Sequence, residues 1–237
     1  PPRLGPGGEA EPLFPEQWNL PLARFPEAWR EAAGREVVVA VADTGVLEHP
    51  DLQGVLLPGL DLLDGDTDPT EPVVSPLQTF HGSHVSGVLA AAWNGVGMAG
   101  ASQARLLPIR LLTPEGTGRE SDLLLALRWR RIPCRGFPQT PTRPTVVNLS
   151  LSGEGPCSPA LQEALDEVRA RGVLVVAAAG NHGGDYRDYF PGNCRGVLTV
   201  GAVGPDGRLA PYSNRSAPPP RPRGKRGTRG SWAPPLG

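Results

Sequence analysis

The sequence predicts an α/β fold: a doubly wound, mainly parallel sheet with helices on both faces. The first observation is a set of five short apolar runs, rich in β-branched residues and without the alternation of a half-exposed strand. This pattern is typical of strands buried on both faces. The second observation is that helical patterns separate these runs, and strands that alternate with helices form parallel sheets. Functional sites of such sheets lie at the carboxyl ends of the strands.

The predicted elements follow one another in order along the chain. The strands cover residues 36–42, 104–112, 145–151, 173–179 and 197–203. The helices cover residues 25–33, 84–93, 120–131 and 158–172. The last helix has the clearest ends, because Ser158 suits its N-cap, Pro159 its first turn and Gly172 its end.

Composition and charge exclude some classes of protein. The 237 residues, 39% hydrophobic and 20% charged, are enough to bury a sizeable core. No apolar run approaches the roughly 18 to 20 residues that cross a bilayer. The net charge of -1 hides an asymmetry, because residues 215–237 hold six basic residues and no acid, which leaves 17 basic and 24 acidic residues elsewhere. This acidic body predicts neither a nucleic-acid nor a membrane partner.

Asp43 directly follows the first predicted strand, in VVVAVADTGV. Taken alone, Asp-Thr-Gly has three interpretations: an aspartic-protease half-site, a phosphate-transfer residue, or a residue that caps a turn. The first needs a second, equivalent carboxylate, and the chain has no second Asp-Thr/Ser-Gly. The residue type alone does not decide between the other two.

Two histidines stand three residues apart in HGSHVSGVLAAAW. A zincin needs His-Glu-x-x-His, and this stretch has neither that spacing nor the Glu. His84 is expected to point away, one turn further along the helix. His81 is either a structural histidine at a helix start or a general base, since a pKa of about 6.5 suits proton transfer at neutral pH when a carboxylate fixes the tautomer.

Asn181 follows a buried strand in VVAAAGNHGG. An Asn in this place can cap a helix, hold a turn, or direct its amide at a developing oxyanion. An Asp after the first strand, a His at a following helix start and an Asn at a later strand end form, in that order, a much more specific pattern than any one of them.

This order of motifs resembles the subtilisin-like serine protease family (subtilases, peptidase family S8), and most closely its secreted bacterial members. The resemblance runs from Leu13 to Asn214. The stretches that carry it are PLFPEQWNL, PEAW, VAVADTGV, FHGSHVSG, VVNLSLSG, AAAGN, PGNC and YSN. It divides the chain into an N-terminal extension (residues 1–12), a subtilisin-like peptidase domain that is incomplete at its C-terminus (residues 13–214) and a Pro/Arg/Gly-rich basic tail (residues 215–237).

The resemblance implies a role for each of the three residues. Asp43 would hold and polarise His81, His81 would take the proton from an attacking serine, and Asn181 would stabilise the tetrahedral oxyanion. An extended peptide would bind as a strand between two short segments of the chain. The implied substrate-binding residues are Gly116, Thr117 and Gly118 on one side, Ser150, Leu151 and Ser152 on the other, and Ala178, Ala179 and Gly180 beneath the residue before the cut. Ser152 departs from the family, which usually has Gly there.

The loop DLLDGDTDPT concentrates carboxylates. It is not an EF-hand, because Pro69 and Ser75 stand where that motif needs Gly and Glu. Clustered carboxylates repel one another unless they are solvated or bound to a hard cation, and some subtilases bind calcium in this region. The sequence therefore leaves a calcium site and a solvated acidic turn open. The candidate ligands are Asp61, Asp64, Asp66, Asp68 and Thr70, and no organic cofactor is expected.

The chain has three cysteines, an odd number that does not by itself indicate a compartment. Secreted subtilases of the type that this chain resembles often link positions like those of Cys157 and Cys194, so the resemblance implies a disulfide between them. Cys134 would then be left over.

The serine nucleophile is missing from the pattern. In the family it lies in Gly-Thr-Ser-x-Ala, after a strand that follows the Ser-Asn motif, whereas here YSN (residues 212–214) is followed by no Gly-Thr-Ser. Ser231 stands in a Pro/Gly/Arg-rich segment, and such a composition does not fix the geometry of a nucleophile. The tail is a basic binding arm, a linker, or, as we favour, the product of a frame shift or gene-model error after Asn214. Because the segment that follows Asn214 in the family is missing, we expect one side of the sheet to be uncovered. This predicts exposed apolar surface and reduced stability.

Two functions follow from the sequence. The first is a secreted, monomeric serine endopeptidase that acts on extended polypeptides and is inactive in this form. The alternative is a non-catalytic peptide-binding pseudoprotease. Because the chain begins at Pro1 without a charged and then apolar leader, we expect a fragment or processed form with any signal and pro-segment outside it.

Overall fold

A parallel sheet forms the centre of the protein. The computed structural model describes residues 7–74, 78, 80–128 and 143–216. Within them the strands are β1 (Val38–Asp43), β2 (Leu60–Asp61), β3 (Arg105–Arg110), β4 (Val146–Leu149), β5 (Gly153–Glu154), β6 (Leu174–Ala178), β7 (Tyr189–Phe190) and β8 (Leu198–Val200). Six of these form one sheet in the order β2-β3-β1-β4-β6-β8, and all its pairings are parallel. Strands β5 and β7 form a small antiparallel pair beside it.

Helices cover both faces of the sheet. They are α1 (Asn19–Leu22), α2 (Phe25–Trp29), α3 (His81–Ala90), α4 (Glu120–Arg128) and α5 (Pro159–Arg169). The side chains of β1 alternate between two buried clusters: Ala40 and Ala42 face α4 and α5, whereas Val39 and Val41 face α3. This confirms the predicted doubly wound α/β fold, because each strand must be apolar on both faces to sit between two layers of helices.

The predicted elements agree with the structure in place and type. Each of the five predicted strands is present, and the sequence missed β2, β5 and β7, which have only two residues each. Helix α3 begins three residues before its predicted start, at His81. Helix α5 has the predicted cap, because the Ser158 hydroxyl accepts a hydrogen bond of 3.1 Å from the amide of Leu161. Its apolar residues repeat at helical spacing and lie against the sheet.

The N-terminal segment lies against the body of the domain. A Cβ on Gly8 would come within 2.9 Å of the rings of both Trp29 and Trp93, so only glycine fits there. The buried carboxylate of Glu11 accepts a hydrogen bond of 2.9 Å from the amide of Gly95. Gly8 and Glu11 of the N-terminal extension are therefore packed against the domain, and the boundary after residue 12 stays a prediction.

Strand β8 is the last strand of the described sheet, and two of its apolar side chains are exposed to solvent. Leu198 and Val200 are 52% and 50% exposed, and Tyr212 nearby is 54% exposed. The predicted exposed apolar surface is thus present, whereas the reduced stability stays a prediction. Of the tail, only Arg215 and Ser216 are described, and residues 217–237 with Ser231 lie outside the described part of the chain, as does Cys134.

A disulfide joins Cys157 to Cys194, as the resemblance implies. It links the start of α5 to the loop before β8. The bridge closes a segment with a sequence separation of 37 residues, so it restricts the unfolded chain considerably.

Replacing Cys157 and Cys194 together by Ser is expected to lower the free energy of unfolding by about 3 to 4 kcal/mol, because the unfolded chain regains the entropy of the open loop. Urea unfolding of the oxidised protein and of the double variant measures the difference. Wild type treated with reductant provides the matched comparison, and a loss below about 1 kcal/mol in both would contradict the expectation.

Candidate active site

The carboxyl ends of three neighbouring strands bring the predicted site residues to one edge of the sheet. Asp43 is the last residue of β1, Ser150 follows β4 directly, and Asn181 lies three residues beyond β6. Because β4 lies between β1 and β6, these ends are adjacent. The predicted site residues therefore lie at the edge where parallel sheets usually place their sites.

Asp43 and His81 form a hydrogen-bonded pair. The ring Nδ1 of His81 lies 2.7 Å from Oδ1 of Asp43. The carboxylate is buried, at 1% exposure, whereas the imidazole is 42% exposed. The same Oδ1 accepts a hydrogen bond of 2.8 Å from the amide of Thr44, which fixes the carboxylate at the strand end. A buried carboxylate on Nδ1 leaves Nε2 as the ring nitrogen free to exchange a proton with a substrate or nucleophile.

The turn before α3 gives His81 its position. Phe80 adopts the left-handed conformation (φ 48°), which is strained for an aromatic residue, and His81 is the first residue of the helix. A Cβ on Gly82 would lie 2.1 Å from the carbonyl oxygen of Gly45. The start of α3 can approach the end of β1 this closely only because position 82 carries no side chain. His84 is exposed and does not face Asp43.

The pKa of His81 is raised above its ordinary value. The hydrogen bond to Asp43 is the main cause, partial burial opposes it, and the negative charges of Asp43 and Glu71 add to the increase. The protonated form of His81 is therefore favoured in the folded protein relative to the unfolded chain.

This shift predicts how the pair contributes to stability as the pH changes. Because the folded pKa is raised, the contribution is complete below the unfolded pKa of about 6.5 and is lost as the pH rises through the folded value. The free energy of unfolding of wild type minus that of His81→Gln should therefore be larger at about pH 5.5 than at about pH 9. Urea titrations at both values measure it, with the exposed His84→Gln as the control, and an equal difference at both would contradict the assignment.

A cleft of about 250 Å³ adjoins His81. Its walls come from the predicted substrate-binding segments on both sides. The lining residues are Thr44, His81, Leu112, Pro114, Glu115, Gly116, Ser150, Leu151 and Ser152. Gly118 pairs with Leu112 in a short hairpin whose tip contains Gly116 and Thr117. The structure thus brings Gly116 and residues 150–152 to one cleft beside the Asp43–His81 pair.

The segment after β6 is held by a residue whose role the sequence did not reveal. Asn214 is buried, and its Oδ1 accepts hydrogen bonds of 3.0 Å from His182 N and 2.9 Å from Gly184 N. Its Nδ2 donates to the carbonyl of Ala179 at 2.9 Å. Asn214 therefore fixes both sides of the loop that carries Asn181, whose own side chain is exposed at the surface. The only sequence signal was its place in the YSN motif.

The residues predicted to lie beneath the substrate, Ala178, Ala179 and Gly180, directly precede Asn181. Gly180 has φ +96°, and a Cβ there would come within 2.5 Å of the Asn214 amide and 3.2 Å of Ser152 Oγ. Ala179 is buried, and its amide donates to Val200 of β8. Ala178 ends β6. Of the three predicted floor residues, Gly180 is the one that the structure places against Ser152, the position that departs from the family.

An arginine lies beside the acidic loop. Arg110, at the end of β3, directs its guanidinium at Asp61 and lies 2.7 Å from the carboxylate of Asp64. Among the residues that the structure describes, no three His, Cys, Asp or Glu side chains are arranged to hold a metal. The sequence signal for this ion pair was an Arg within an otherwise apolar strand, which needs a partner when buried.

The remaining acidic residues are satisfied locally. Asp66 accepts a hydrogen bond of 2.9 Å from the amide of Asp68. Asp68 accepts from both the hydroxyl and the amide of Thr70, and the hydroxyl bond is the main reason that its pKa is lowered. Arg110 thus places a positive charge beside the loop, for which the sequence left a calcium site and a solvated turn open. Calcium binding stays an untested prediction.

The comparisons with known proteins agree on one family. Residues 34–223 match the model of the subtilase family, peptidase S8. The "Extracellular basic protease" of Dichelobacter nodosus is 35% identical over 87% of this chain and 40% of its own length. The "Extracellular protease" of Xanthomonas campestris pv. campestris is 33% identical over 84% of this chain and 39% of its own length. The chain thus spans about 40% of the length of these curated relatives.

A solved structure extends the likeness to three dimensions. A protease of Pseudoalteromonas arctica PAMC 21717 aligns with 87% of this chain and 69% of its own, with a TM-score of 0.77 and 37% identity. In the described part of the present chain, no helix is both long and apolar enough to cross a membrane.

Proposed function

The chain belongs to the subtilase family of serine proteases, and on this basis we propose that it forms the Asp-His and substrate-binding parts of a serine endopeptidase. The observation that carries the proposal is the buried Asp43 carboxylate hydrogen-bonded to Nδ1 of a half-exposed His81 at the mouth of a cleft. This pair can accept a proton from a hydroxyl at Nε2 while the carboxylate stabilises the imidazolium that forms.

In the proposed reaction, a serine hydroxyl attacks the carbonyl carbon of the scissile peptide bond, and its proton passes to Nε2 of His81. The carbonyl oxygen becomes an oxyanion that the amide of Asn181 stabilises. When the C–N bond breaks, His81 returns the proton to the leaving amine, and the acyl group stays on the serine. Water then attacks this ester and gives a proton to His81, which passes it to the serine oxygen as the acid product leaves. The chain contains no Gly-Thr-Ser, so we propose that it does not complete this cycle as it stands.

We propose an extended polypeptide as the substrate. The hairpin at residues 112–118 and the segment 150–152 line opposite walls of the cleft, which suits a peptide that binds as an added strand. We also propose that the protein is a monomer and that it binds neither nucleic acid nor membrane. The disulfide and the names of the two extracellular relatives support secretion, because disulfides persist in oxidising compartments.

The alternative proposal is a pseudoprotease that binds extended peptides without cutting them. The observation in its favour is that the cleft and the Asp43–His81 pair are formed in a chain that lacks the family's serine motif.

Sequencing the genomic locus distinguishes the two. A Gly-Thr-Ser codon run in another frame downstream of the Asn214 codon supports the endopeptidase. An intact reading frame, together with saturable binding of an extended peptide and no cleavage products, supports the pseudoprotease. An intact frame without peptide binding would contradict both.

A further inference from the structure

Glu71 is a buried carboxylate that neither the Asp motif nor the His motif contains. It is 1% exposed and lies in the segment between β2 and α3. Its Oε1 accepts hydrogen bonds of 2.7 Å from the Thr44 hydroxyl and 3.4 Å from the Gln78 amide, and its Oε2 accepts one of 3.1 Å from the Ser83 hydroxyl. Both oxygens thus act as acceptors, as those of an ionised carboxylate do. A charge so deeply buried is costly unless its hydrogen bonds are made.

Two of these donors belong to the motifs that carry Asp43 and His81. Thr44 follows Asp43, and its hydroxyl also accepts a hydrogen bond of 2.9 Å from the amide of Gly82, next to His81. Ser83 lies two residues after His81, and its hydroxyl accepts one of 2.9 Å from the amide of Leu47, beyond the end of β1. Glu71 therefore orients both hydroxyls that connect the end of β1 with the first turn of α3.

Helix α3 has no cap of its own. Its N-cap residue Phe80 makes no side-chain hydrogen bond to the first turn, and that turn contains no acidic residue. The free amides and the dipole of a helix N-terminus favour a negative charge nearby. Glu71 supplies that charge from another segment of the chain, through the hydroxyls of Thr44 and Ser83.

The three segments meet with almost no free space. The amide of Val46 donates to the carbonyl of Pro69 at 3.0 Å. A Cβ on Gly45 would lie 2.6 Å from the same carbonyl oxygen and 3.0 Å from the amide nitrogen of Glu71. A displacement of the Glu71 segment is therefore transmitted directly to the end of β1.

We propose that Glu71 is a positioning residue of the Asp43–His81 pair, a carboxylate from outside both motifs that fixes the strand end to the helix start. The proposal rests on the proposed function only in treating that pair as catalytic. Glu71 touches neither Asp43 nor His81 through a hydrogen bond among those described, so it acts through Thr44 and Ser83. Its negative charge also contributes to the raised pKa of His81, after the larger contribution of the Asp43 hydrogen bond.

The test uses two readouts that need no turnover: the pKa of His81 by NMR titration of the imidazole, and hydrogen exchange of the Gly82 amide. The chain has four histidines, and the spectrum of His81→Gln identifies the signal of His81. The variants separate charge from geometry. Glu71→Gln removes the charge and keeps the shape, Glu71→Ala removes both, and Thr44→Val removes only the hydroxyl that links Glu71 to Gly82.

We expect a lower pKa for His81 in Glu71→Gln than in wild type, with Gly82 exchange little changed. Glu71→Ala is expected to lower the pKa and to speed Gly82 exchange about tenfold, the effect of losing one hydrogen bond. Thr44→Val should speed exchange similarly, and Thr44→Ser should restore it. Glu11→Gln is the matched control, because Glu11 is also a buried glutamate, at 4% exposure, and should change neither readout.

The proposal fails if Glu71→Gln leaves the His81 pKa at the value found in Glu11→Gln, or if Glu71→Ala and Thr44→Val exchange Gly82 no faster than wild type. Near-UV circular dichroism checks that each variant is folded, and the Thr44 pair keeps the geometric test if Glu71→Ala is not. If Glu71→Gln shifts the His81 pKa but the chain does not cleave peptides once a Gly-Thr-Ser-x-Ala segment is supplied, the proposed function fails and the role of Glu71 stands. If the chain with that segment cleaves peptides while Glu71→Gln leaves the His81 pKa unshifted, the role of Glu71 fails and the proposed function stands.

Discussion

The chain as it stands is expected to cleave unfolded protein no faster than its own His81→Ala variant. A chimera in which a Gly-Thr-Ser-x-Ala segment from an extracellular relative replaces residues 215–237 is expected to gain about 10⁶-fold in kcat, the loss known for removal of the serine in subtilisin, a member of the same family. The physical reason is that the Asp43–His81 pair and the cleft are already formed, and the added segment supplies the serine hydroxyl that the proposed reaction needs. Release of peptides from denatured casein measures both.

Three variants decide whether any activity comes from the proposed chemistry. Replacing the introduced serine by Ala in the chimera should lower its rate of cleavage to that of the unmodified chain. His81→Ala in the chimera should do the same, because triad members act as a unit. If the unmodified chain cleaves casein and Ser231→Ala abolishes that cleavage, the view that the nucleophile is missing is overturned.

Arg110→Met is expected to lower the free energy of unfolding by about 3 to 5 kcal/mol, because it leaves the carboxylate of Asp61 buried without its counter-charge. Asp61 is 1% exposed and Arg110 is 8% exposed, so water cannot replace the lost partner. Asp64 is 67% exposed at its side chain and should matter far less. Urea unfolding measures the change.

The double variant Arg110→Met/Asp61→Asn should recover much of that loss, since it removes the uncompensated charge. Arg208→Met is the control, because Arg208 and Asp206 form an exposed pair that contributes at most about 1 kcal/mol. Chelation of calcium should leave wild type unchanged. If a chelator lowers the melting temperature by several degrees and Arg110→Met does not, calcium rather than Arg110 neutralises this loop.

Most of the sheet could be predicted from the sequence because its strands are buried on both faces. The runs at residues 104–112 and 173–179 are short and nearly continuous apolar segments, which are typical of strands buried on both faces. The two-residue strand β2 left no such trace, since Leu60 and Asp61 are defined by their pairing with β3 rather than by their composition. The start of α3 was placed too late because a left-handed Phe80, not a capping side chain, precedes it.

The Asp43–His81 pair was predictable because a histidine and a carboxylate at strand and helix ends are chemically distinctive. Glu71 and Asn214 were not, because each acts through hydrogen bonds to backbone or hydroxyl groups that lie far away along the chain. Arg110 shows the limit of reading composition: the sequence displays a cluster of carboxylates, but only the fold shows that an arginine 49 residues from Asp61 neutralises it.

The hydrogen bonds of Asn214 bear on the order in which such a protein is made. Domains generally fold as units during synthesis, so a contact across one domain forms only when both of its partners have been made. By residue 214 the Asp43–His81 pair, the cleft and the brace of the Asn181 loop have all been synthesised, whereas this family places its serine later. The loop that carries Asn181 can therefore make its final hydrogen bonds only after residue 214 has been synthesised.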